Sequence, residues 1–148
     1  MSEKELKVLI FSINNESYAT DIMQVERILG YQEPTVIPDS PDFIKGVINH
    51  EGRILPVVSL AKKFHLKETL ISQDAKIIVT KQLNFRAGII VDFVSEVLVV
   101  KTEDIEASPE IISGISKRYI KGLIKKNEEI IIFLDLETIF TEEEKKLI

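Results

Sequence analysis

Residues 43–64, FIKGVINHEGRILPVVSLAKKF, recur at residues 119–140 as YIKGLIKKNEEIIIFLDLETIF. Identical residues occupy the aligned positions Ile44 and Ile120, Lys45 and Lys121, Gly46 and Gly122, Ile48 and Ile124, Ile54 and Ile130, Leu60 and Leu136, and Phe64 and Phe140. A weaker echo upstream aligns Ala19, Ile22, Val25 and Ile28 with Gly88, Val91, Val94 and Val97. Self-similarity over this length indicates an internal duplication. We therefore predict one domain over residues 1–148, made of duplicated subdomains at about 14–75 and 76–140, with the N-terminal strand completing the second.

The composition limits which folds and which classes of binding partner are plausible. Each copy would have about 70 residues, a size at which an isolated core is thin, so the two halves should share an interface. A hydrophobic content of 45% with 29% charged residues is typical of soluble globular proteins. The absence of cysteine removes disulfides, thiolate catalysis and cysteine metal sites. A net charge of −5 with interspersed signs gives no footprint for nucleic acid.

Two features of the sequence bear on location. The longest apolar runs, such as residues 130–134, are far shorter than the roughly 20 residues that cross a bilayer. The N-terminus, MSEKELK, carries acids where a signal peptide would be basic and then apolar. We therefore expect a cytoplasmic protein that does not insert into a membrane by itself.

The local patterns predict strands joined by tight turns. The predicted strands are rich in aliphatic and aromatic residues and cover residues 7–13, 18–29, 44–48, 54–58, 77–81 and 86–100. Asn14 and Asn15 form a polar turn between the first two predicted strands, and Gly52 permits the positive φ that a tight turn often needs. Ser59 and Asp135 are candidate N-caps of one short helix per copy, and a C-terminal helix should run through residues 141–148. These elements predict an all-β fold of two small antiparallel β-barrels packed side by side, with short helices.

No motif in the sequence predicts catalysis or metal binding. The two histidines, His50 and His65, lack a second histidine or a carboxylate at metal-ligand spacing, so we predict solvated or capping roles for them. GxSxG, HExxH, GxxxxGK[ST] and GxGxxG are all absent. We therefore expect no cofactor, no metal and no enzymatic activity. The rigid loop 38–41 and the turn 49–52 remain as candidate binding elements.

The stretch PDFIKGVINHEGRILPVVSLAKKF resembles the signature P-x-F-I-x-G-V-x-N-x-R-G-x-I-x-P-V-x-D-L-x-x-x-F of the CheW-like domain family of bacterial chemotaxis coupling proteins. The resemblance continues at Tyr18, Gly88 and Tyr119, in the order of the family. It implies two five-stranded barrels with a cleft between them. It also implies a non-catalytic adaptor that joins the regulatory domain of the histidine kinase CheA to the cytoplasmic tips of methyl-accepting chemoreceptors.

The resemblance leads us to predict two sets of contacts, on a chain that is monomeric in isolation. The predicted kinase-binding residues lie in the first barrel and are Arg27, Asp39, Phe43, Gly46, Asn49, Glu51 and Arg53. The predicted receptor-binding residues could line a groove between the barrels and are Val25, Ile28, Val94 and Val97. The alternative is that these four aliphatic residues have no role in binding and belong to the hydrophobic core between the barrels.

Two positions reverse the charge that the family pattern leads us to expect. The arginine of N-L-R-G is Glu51 here, and the glutamate of V-x-E-I is Arg27. Our preferred hypothesis is that the two side chains face each other and keep an ion pair with its charges exchanged. The alternative is that the surface of the partner has reversed its charges too, which would make the chain selective for its own kinase.

Four other functions stay open at this point. A coupling module of an array that controls pili or gliding would have the same sequence pattern. A CheV-like protein would need a fused receiver domain, and a fragment of the kinase would not have Met1 opening directly onto a first strand. An enzyme using carboxylates in the cleft between the barrels would need perturbed carboxylate pKa values in a polar pocket.

Overall fold

Ten β-strands and two short α-helices make up the part of the chain that the computed structural model describes, residues 4–68, 70–82, 85–107 and 117–146. The strands are β1 Glu5–Ile13, β2 Glu16–Asp21, β3 Val25–Gly30, β4 Ile44–His50, β5 Arg53–Ser59, β6 Lys76–Gln82, β7 Phe85–Val91, β8 Phe93–Lys101, β9 Ile120–Lys126 and β10 Glu129–Leu134. The helices are α1 Leu60–Lys63 and α2 Glu142–Lys146, and 3₁₀ turns cover Ile22–Gln24, Thr102–Asp104 and Lys117–Tyr119. The predicted all-β class is confirmed.

The strands form two five-stranded sheets that share strands between the two sequence copies. The order is β8-β1-β2-β10-β9 in one, called here the N-terminal sheet, and β3-β6-β7-β5-β4 in the other, the central sheet. Copy one supplies β1 to β5 and copy two supplies β6 to β10, so each sheet takes two strands from one copy and three from the other. The predicted subdomains 14–75 and 76–140 therefore do not coincide with the two sheets, although β1 does lie beside β8 of the second copy.

The exchange of strands also corrects the prediction of purely antiparallel sheets. Strand β2 pairs in parallel with β10, and β5 pairs in parallel with β7. The registers are equivalent in the two sheets, because Ala19 lies opposite Phe133 and its repeat mate Gly88 lies opposite Val57. Parallel neighbours require a long connection between them. The chain from β3 to β9 connects β2 to β10, and the chain through α1 and β6 connects β5 to β7.

The predicted long strand 18–29 is broken, and its two parts lie in different sheets. The 3₁₀ turn Ile22–Gln24 separates β2 from β3, and the Asp21 carboxylate caps it by accepting a hydrogen bond from the backbone N–H of Met23 at 3.0 Å. A bend at Asp92 separates β7 from β8 in the same way in the second copy. These two breaks carry the chain from one sheet to the other.

Three apolar clusters fill the molecule, and alternation along the strands assigns residues to them. In β1, Val8 and Ile10 enter a cluster within the N-terminal sheet, while Leu9 and Phe11 enter the cluster between the sheets. The third cluster lies within the central sheet and receives residues from all five of its strands, as does the cluster of the N-terminal sheet. Central strands are therefore buried on both faces, which explains their continuous apolar runs. Closure of each curled sheet into a barrel stays a prediction.

Reciprocal aromatic contacts join the two copies across the cluster between the sheets. Phe43 of copy one stacks on Phe140 of copy two, with ring centroids 5.7 Å apart. Tyr119, the mate of Phe43, packs on Phe64, the mate of Phe140, at 5.5 Å. Aromatic pairs in such geometry contribute about 0.5–1.5 kcal/mol each beyond their buried area. The two contacts hold the start of each second hairpin against the other copy.

The turns and caps largely follow the sequence. Asn14 and Asn15 have φ values of 56° and 66°, and Glu51 and Gly52 have 52° and 77°, as two-residue hairpin turns require. The Ser59 hydroxyl caps α1 as predicted, accepting from the Lys62 N–H at 3.2 Å. The equivalent short helix after Asp135 is a turn instead.

The C-terminal helix α2 is anchored at its first turn. Glu144 accepts a hydrogen bond from the Thr141 N–H at 2.9 Å, and the Thr141 hydroxyl accepts one from the Glu144 N–H at 3.0 Å. Glu144 also pairs with the almost fully buried Lys63. Burial raises the pKa of Glu144, but the hydrogen bonds and the charge of Lys63 outweigh it and lower that pKa below its usual value. The end of the predicted helix, residues 147–148, lies outside the described residues.

Gly46 and Gly122 allow a second segment to approach the edge strands closely. Thr35 forms a two-bond bridge with Val47 at 2.8 and 2.9 Å, and Glu106 forms the same bridge with Leu123. A Cβ on Gly46 would lie 2.3 Å from the Thr35 carbonyl oxygen, and Gly46 also has a φ of 147°. The two glycines are thus required by backbone packing at equivalent places in the repeat.

We predict that Gly46→Ala lowers the free energy of unfolding by about 1–3 kcal/mol, because it adds a clash with backbone to an unfavourable φ. Chemical denaturation followed by circular dichroism measures this. Gly30→Ala is the matched control, since nothing lies within 4 Å of its added Cβ, and it should change stability by less than about 0.5 kcal/mol. Equal stability of the two variants would contradict the close-approach role of Gly46.

Candidate partner-binding surfaces

The β4–β5 turn presents three of the predicted kinase contacts together. Asn49, Glu51 and Arg53 are all exposed there. The Arg27 guanidinium on β3 lies 3.3 Å from the Glu51 carboxylate, so the predicted charge-exchanged pair is confirmed. The two side chains are 57% and 59% exposed, which limits the energy of the pair. Because β3 and β4 are the two edges of the central sheet, the pair ties the turn to the opposite edge.

The N-terminal sheet carries a corresponding pair with opposite polarity. Glu96 on β8 is the repeat mate of Arg27, and its carboxylate lies 2.5 Å from the ammonium of Lys126 at the end of β9. Strands β8 and β9 are again the two edges of their sheet. In both sheets, therefore, an ion pair joins one edge strand to the hairpin at the other edge. The cation is on the edge strand β3 in the central sheet and at the end of β9 in the N-terminal sheet.

The remaining predicted kinase contacts lie apart from this turn or are covered. Asp39 is exposed in the loop before β4, with a φ of 61°. Phe43 is buried against Phe140, and Gly46 lies under Thr35. Phe43 and Gly46 thus present no side chain to a partner in this structure. Both belong to the recognised motif, but they pack against other parts of the same chain.

Sequence reasoning missed several residues beside the turn. Arg86 of β7 pairs with Glu26 of β3 at 3.1 Å, and a cavity of 300 Å³ lies between Arg86 and the turn residues. Ile54 is 71% exposed at its rim. The His50 side chain is only 12% exposed, so of its two predicted roles, solvated or capping, the solvated one does not hold. Of these residues, only Ile54 could have been recognised from the sequence, because it is identical to Ile130 in the repeat. Both isoleucines are exposed, so core packing does not explain the identity.

The four predicted receptor contacts lie on the edge strands β3 and β8, at equivalent positions of the two copies. Val25 and Val94 are partly buried against the cluster between the sheets. Ile28 lies opposite Ile78 and Val97 lies opposite Leu9, and both of those partners belong to the same cluster. Ile28 and Val97 are nevertheless 40% and 50% exposed. The edge strands therefore carry exposed aliphatic side chains at the border of the core between the sheets.

The described residues hold two further hollows and no sign of a metal site. One, of 530 Å³, is lined by Phe43, Tyr119, Lys63 and Glu144, among others. The second, of 250 Å³, lies near Tyr31, Lys45 and Glu68. Within residues 4–68, 70–82, 85–107 and 117–146 there is no group of three histidine, aspartate or glutamate side chains that could hold a metal ion. No helix in that part of the chain is long and apolar enough to cross a membrane.

Comparison with known sequences agrees with this architecture. The model of the CheW-like domain family matches residues 7–144. The chemotaxis protein CheW of Klebsiella aerogenes is 38% identical over 143 residues, which cover 95% of this chain and 84% of that protein. The chemotaxis protein CheW of Treponema pallidum is 31% identical over 148 residues, covering 97% of this chain and 87% of that protein.

Comparison with solved structures gives the same fold. The crystal structure of the scaffolding protein TtCheW from Thermoanaerobacter tengcongensis has a TM-score of 0.87 and 34% sequence identity. The match covers 96% of this chain and 92% of that one.

We predict that the Arg27–Glu51 pair has a coupling energy of about 0.2–1 kcal/mol, as exposed ion pairs do. A double-mutant cycle of Arg27→Ala and Glu51→Ala, followed by chemical denaturation at low and high salt, measures it. The coupling should shrink at high salt, because the pair is exposed. The double variant Arg27→Glu with Glu51→Arg should retain the coupling. Strictly additive single effects would contradict the pairing.

Proposed function

Since this chain belongs to the CheW-like domain family and is an adaptor or scaffold of bacterial chemotaxis, we propose that it couples a CheA-type histidine kinase to the cytoplasmic tips of chemoreceptors. The kinase would be held through its regulatory domain. An adaptor of this kind works in the cytoplasm, recruited to membrane arrays by its partners, and performs no chemical step itself.

The observation that carries this proposal is the pair of separate exposed surfaces on one rigid body. The β4–β5 turn with Asn49, Glu51 and Arg53 is polar and charged, whereas the edge strands with Ile28 and Val97 expose aliphatic side chains. An adaptor needs two such surfaces, so that binding one partner leaves the other surface free.

The kinase surface in this proposal is centred on the β4–β5 turn. Arg27 and Glu51 hold the turn against β3, and Asn49, Arg53 and the loop residue Asp39 offer polar groups around it. Phe43 and Gly46 support this surface from below rather than touching the partner. Interfaces of this kind usually combine a few apolar anchors with a polar rim.

The receptor surface in this proposal is the groove between the edge strands. An amphipathic helix binds an aliphatic groove through side chains spaced three or four residues apart, and this is the kind of receptor segment that the groove would fit. Ile28 and Val97 would be the exposed contacts, while Val25 and Val94 would form the floor next to the core. The equivalent positions of these residues in the repeat give the groove similar walls on both sides.

Two alternatives are less well supported. Two relatives that match almost the whole chain are chemotaxis proteins, which favours chemotaxis over an array that controls pili or gliding. An enzyme in the cleft would need carboxylates with raised pKa values, whereas the pKa of Glu144, which lines the hollow near Phe43 and Tyr119, is lowered by its pairing with Lys63 and Thr141.

Calorimetric titration of this chain with the regulatory domain of the CheA-type kinase from the same genome tests the proposal. We expect saturable one-to-one binding. Val97→Glu, on the opposite surface, should leave this titration unchanged and is the matched control. Absence of heat and of co-elution, with both proteins folded by circular dichroism, would refute coupling to that kinase.

A further inference from the structure

The charges around the β4–β5 turn leave one cation without a partner. Arg27 pairs with Glu51, and Arg86 pairs with Glu26. Arg53 is exposed at the same turn and forms no ion pair with any residue that the structure describes. The cluster of five charged side chains therefore carries one surplus positive charge, and that charge sits on the guanidinium of Arg53.

A cavity opens beside this surplus cation. It has a volume of 300 Å³ and is lined by His50, Glu51, Arg53, Ile54, Leu55 and Arg86. We call it the Arg53 cavity. Its volume lies at the lower end of the range of about 300–1,000 Å³ that small-molecule pockets have. A cavity of this size suits one side chain of a partner better than a whole cofactor.

His50, which lines the Arg53 cavity, has a polar atom without a hydrogen-bond partner. The Nε2 atom of His50 is buried and has no hydrogen-bond partner, and the nearest Glu51 carboxylate oxygen is 3.9 Å away. A buried nitrogen without a hydrogen-bond partner is unfavourable, so a ligand group that bonds to it is favoured. A carboxylate can accept from a guanidinium through one oxygen and from an imidazole N–H through the other.

The rim of the cavity adds an apolar contact. Ile54 is 71% exposed directly beside Arg53 in the sequence, and the identical Ile130 is 57% exposed at the equivalent place of the other copy. The other identical aliphatic and aromatic pairs of the repeat are buried or partly buried in the core. An isoleucine that is kept at an exposed position offers an anchor to a partner surface.

We propose that the Arg53 cavity receives an aspartate or glutamate side chain of the kinase regulatory domain, with an aliphatic neighbour of that residue packing on Ile54. This inference rests on the proposed function and names the chemistry of its kinase contact. The carboxylate neutralises the surplus charge of Arg53, and rotation of the His50 imidazole toward the cavity lets its buried Nε2 bond to the second carboxylate oxygen. Arg53 and His50 thereby become specificity-determining residues for an acidic partner surface.

The second copy cannot offer the same site. The residue equivalent to Arg53 is Glu129, and it accepts a hydrogen bond from the Ser17 hydroxyl. An acidic partner residue would be repelled there by like charge. The two hairpin tips both carry an exposed isoleucine, but only the β4–β5 tip has an arginine beside it.

The test is calorimetric titration of the kinase regulatory domain with the wild-type chain, Arg53→Glu and the matched control Glu129→Gln. We expect Arg53→Glu to weaken binding by about 10-fold or more, and Glu129→Gln to leave it unchanged. Charge-reversal variants at the exposed acids of the kinase domain then locate the partner residue. One acid-to-lysine change should restore binding to Arg53→Glu while weakening binding to the wild-type chain.

The possible failures can be told apart. If the wild-type chain does not bind the kinase domain, both the proposed function and this inference are wrong. If the wild-type chain and Arg53→Glu bind equally well, the proposed function stands and the Arg53 cavity is not its contact. Sedimentation of the chain alone covers a third outcome, in which self-association depends on Arg53. That result would assign the cavity to a second copy of this chain and overturn the inference.

Discussion

The parallel pairing of β2 with β10 and of β5 with β7 is the constraint on which the molecule depends. Each pairing joins a strand of one sequence copy to a strand of the other, so neither copy can complete a sheet or a core alone. The reciprocal stacking of Phe43 on Phe140 and of Tyr119 on Phe64 reinforces the same exchange. A duplicated module of about 70 residues would have a thin core by itself, and the exchange gives both copies a shared one.

The exchange also places the surfaces that we propose for partners. It leaves β3 and β8 as edge strands with aliphatic side chains beside the shared core, and it leaves the two hairpin tips at the opposite edges. The duplication makes these places geometrically equivalent, and later divergence makes them chemically different. Arg27 and Glu96 occupy equivalent positions with opposite charges, as do Arg53 and Glu129. A symmetric scaffold thereby becomes an adaptor with distinguishable sides.

The types of residue at turns and helix ends were enough to predict the local structure. The pairing of strands that are distant in the sequence could not be predicted from them. Asn14 and Asn15 indicated a polar turn, Gly52 indicated a turn through the positive φ that glycine tolerates, and Ser59 indicated the start of α1. The exchange of strands between the copies has no such local signal in the sequence. Apolar residues alternate between the two faces of β1 in the same way whichever copy packs against it. Phe43 belongs to a recognisable motif but is used for packing, while Arg86 matters through its position beside the turn and belongs to no motif.

The central claim is that one chain holds two partners at once on separate surfaces. The most direct test is analytical ultracentrifugation of this chain with the kinase regulatory domain and a cytoplasmic receptor-tip fragment from the same genome. The account predicts a complex that contains all three, and predicts that Val97→Glu removes only the receptor fragment while Arg53→Glu releases only the kinase domain. Mutually exclusive binding of the two partners to the wild-type chain would contradict it.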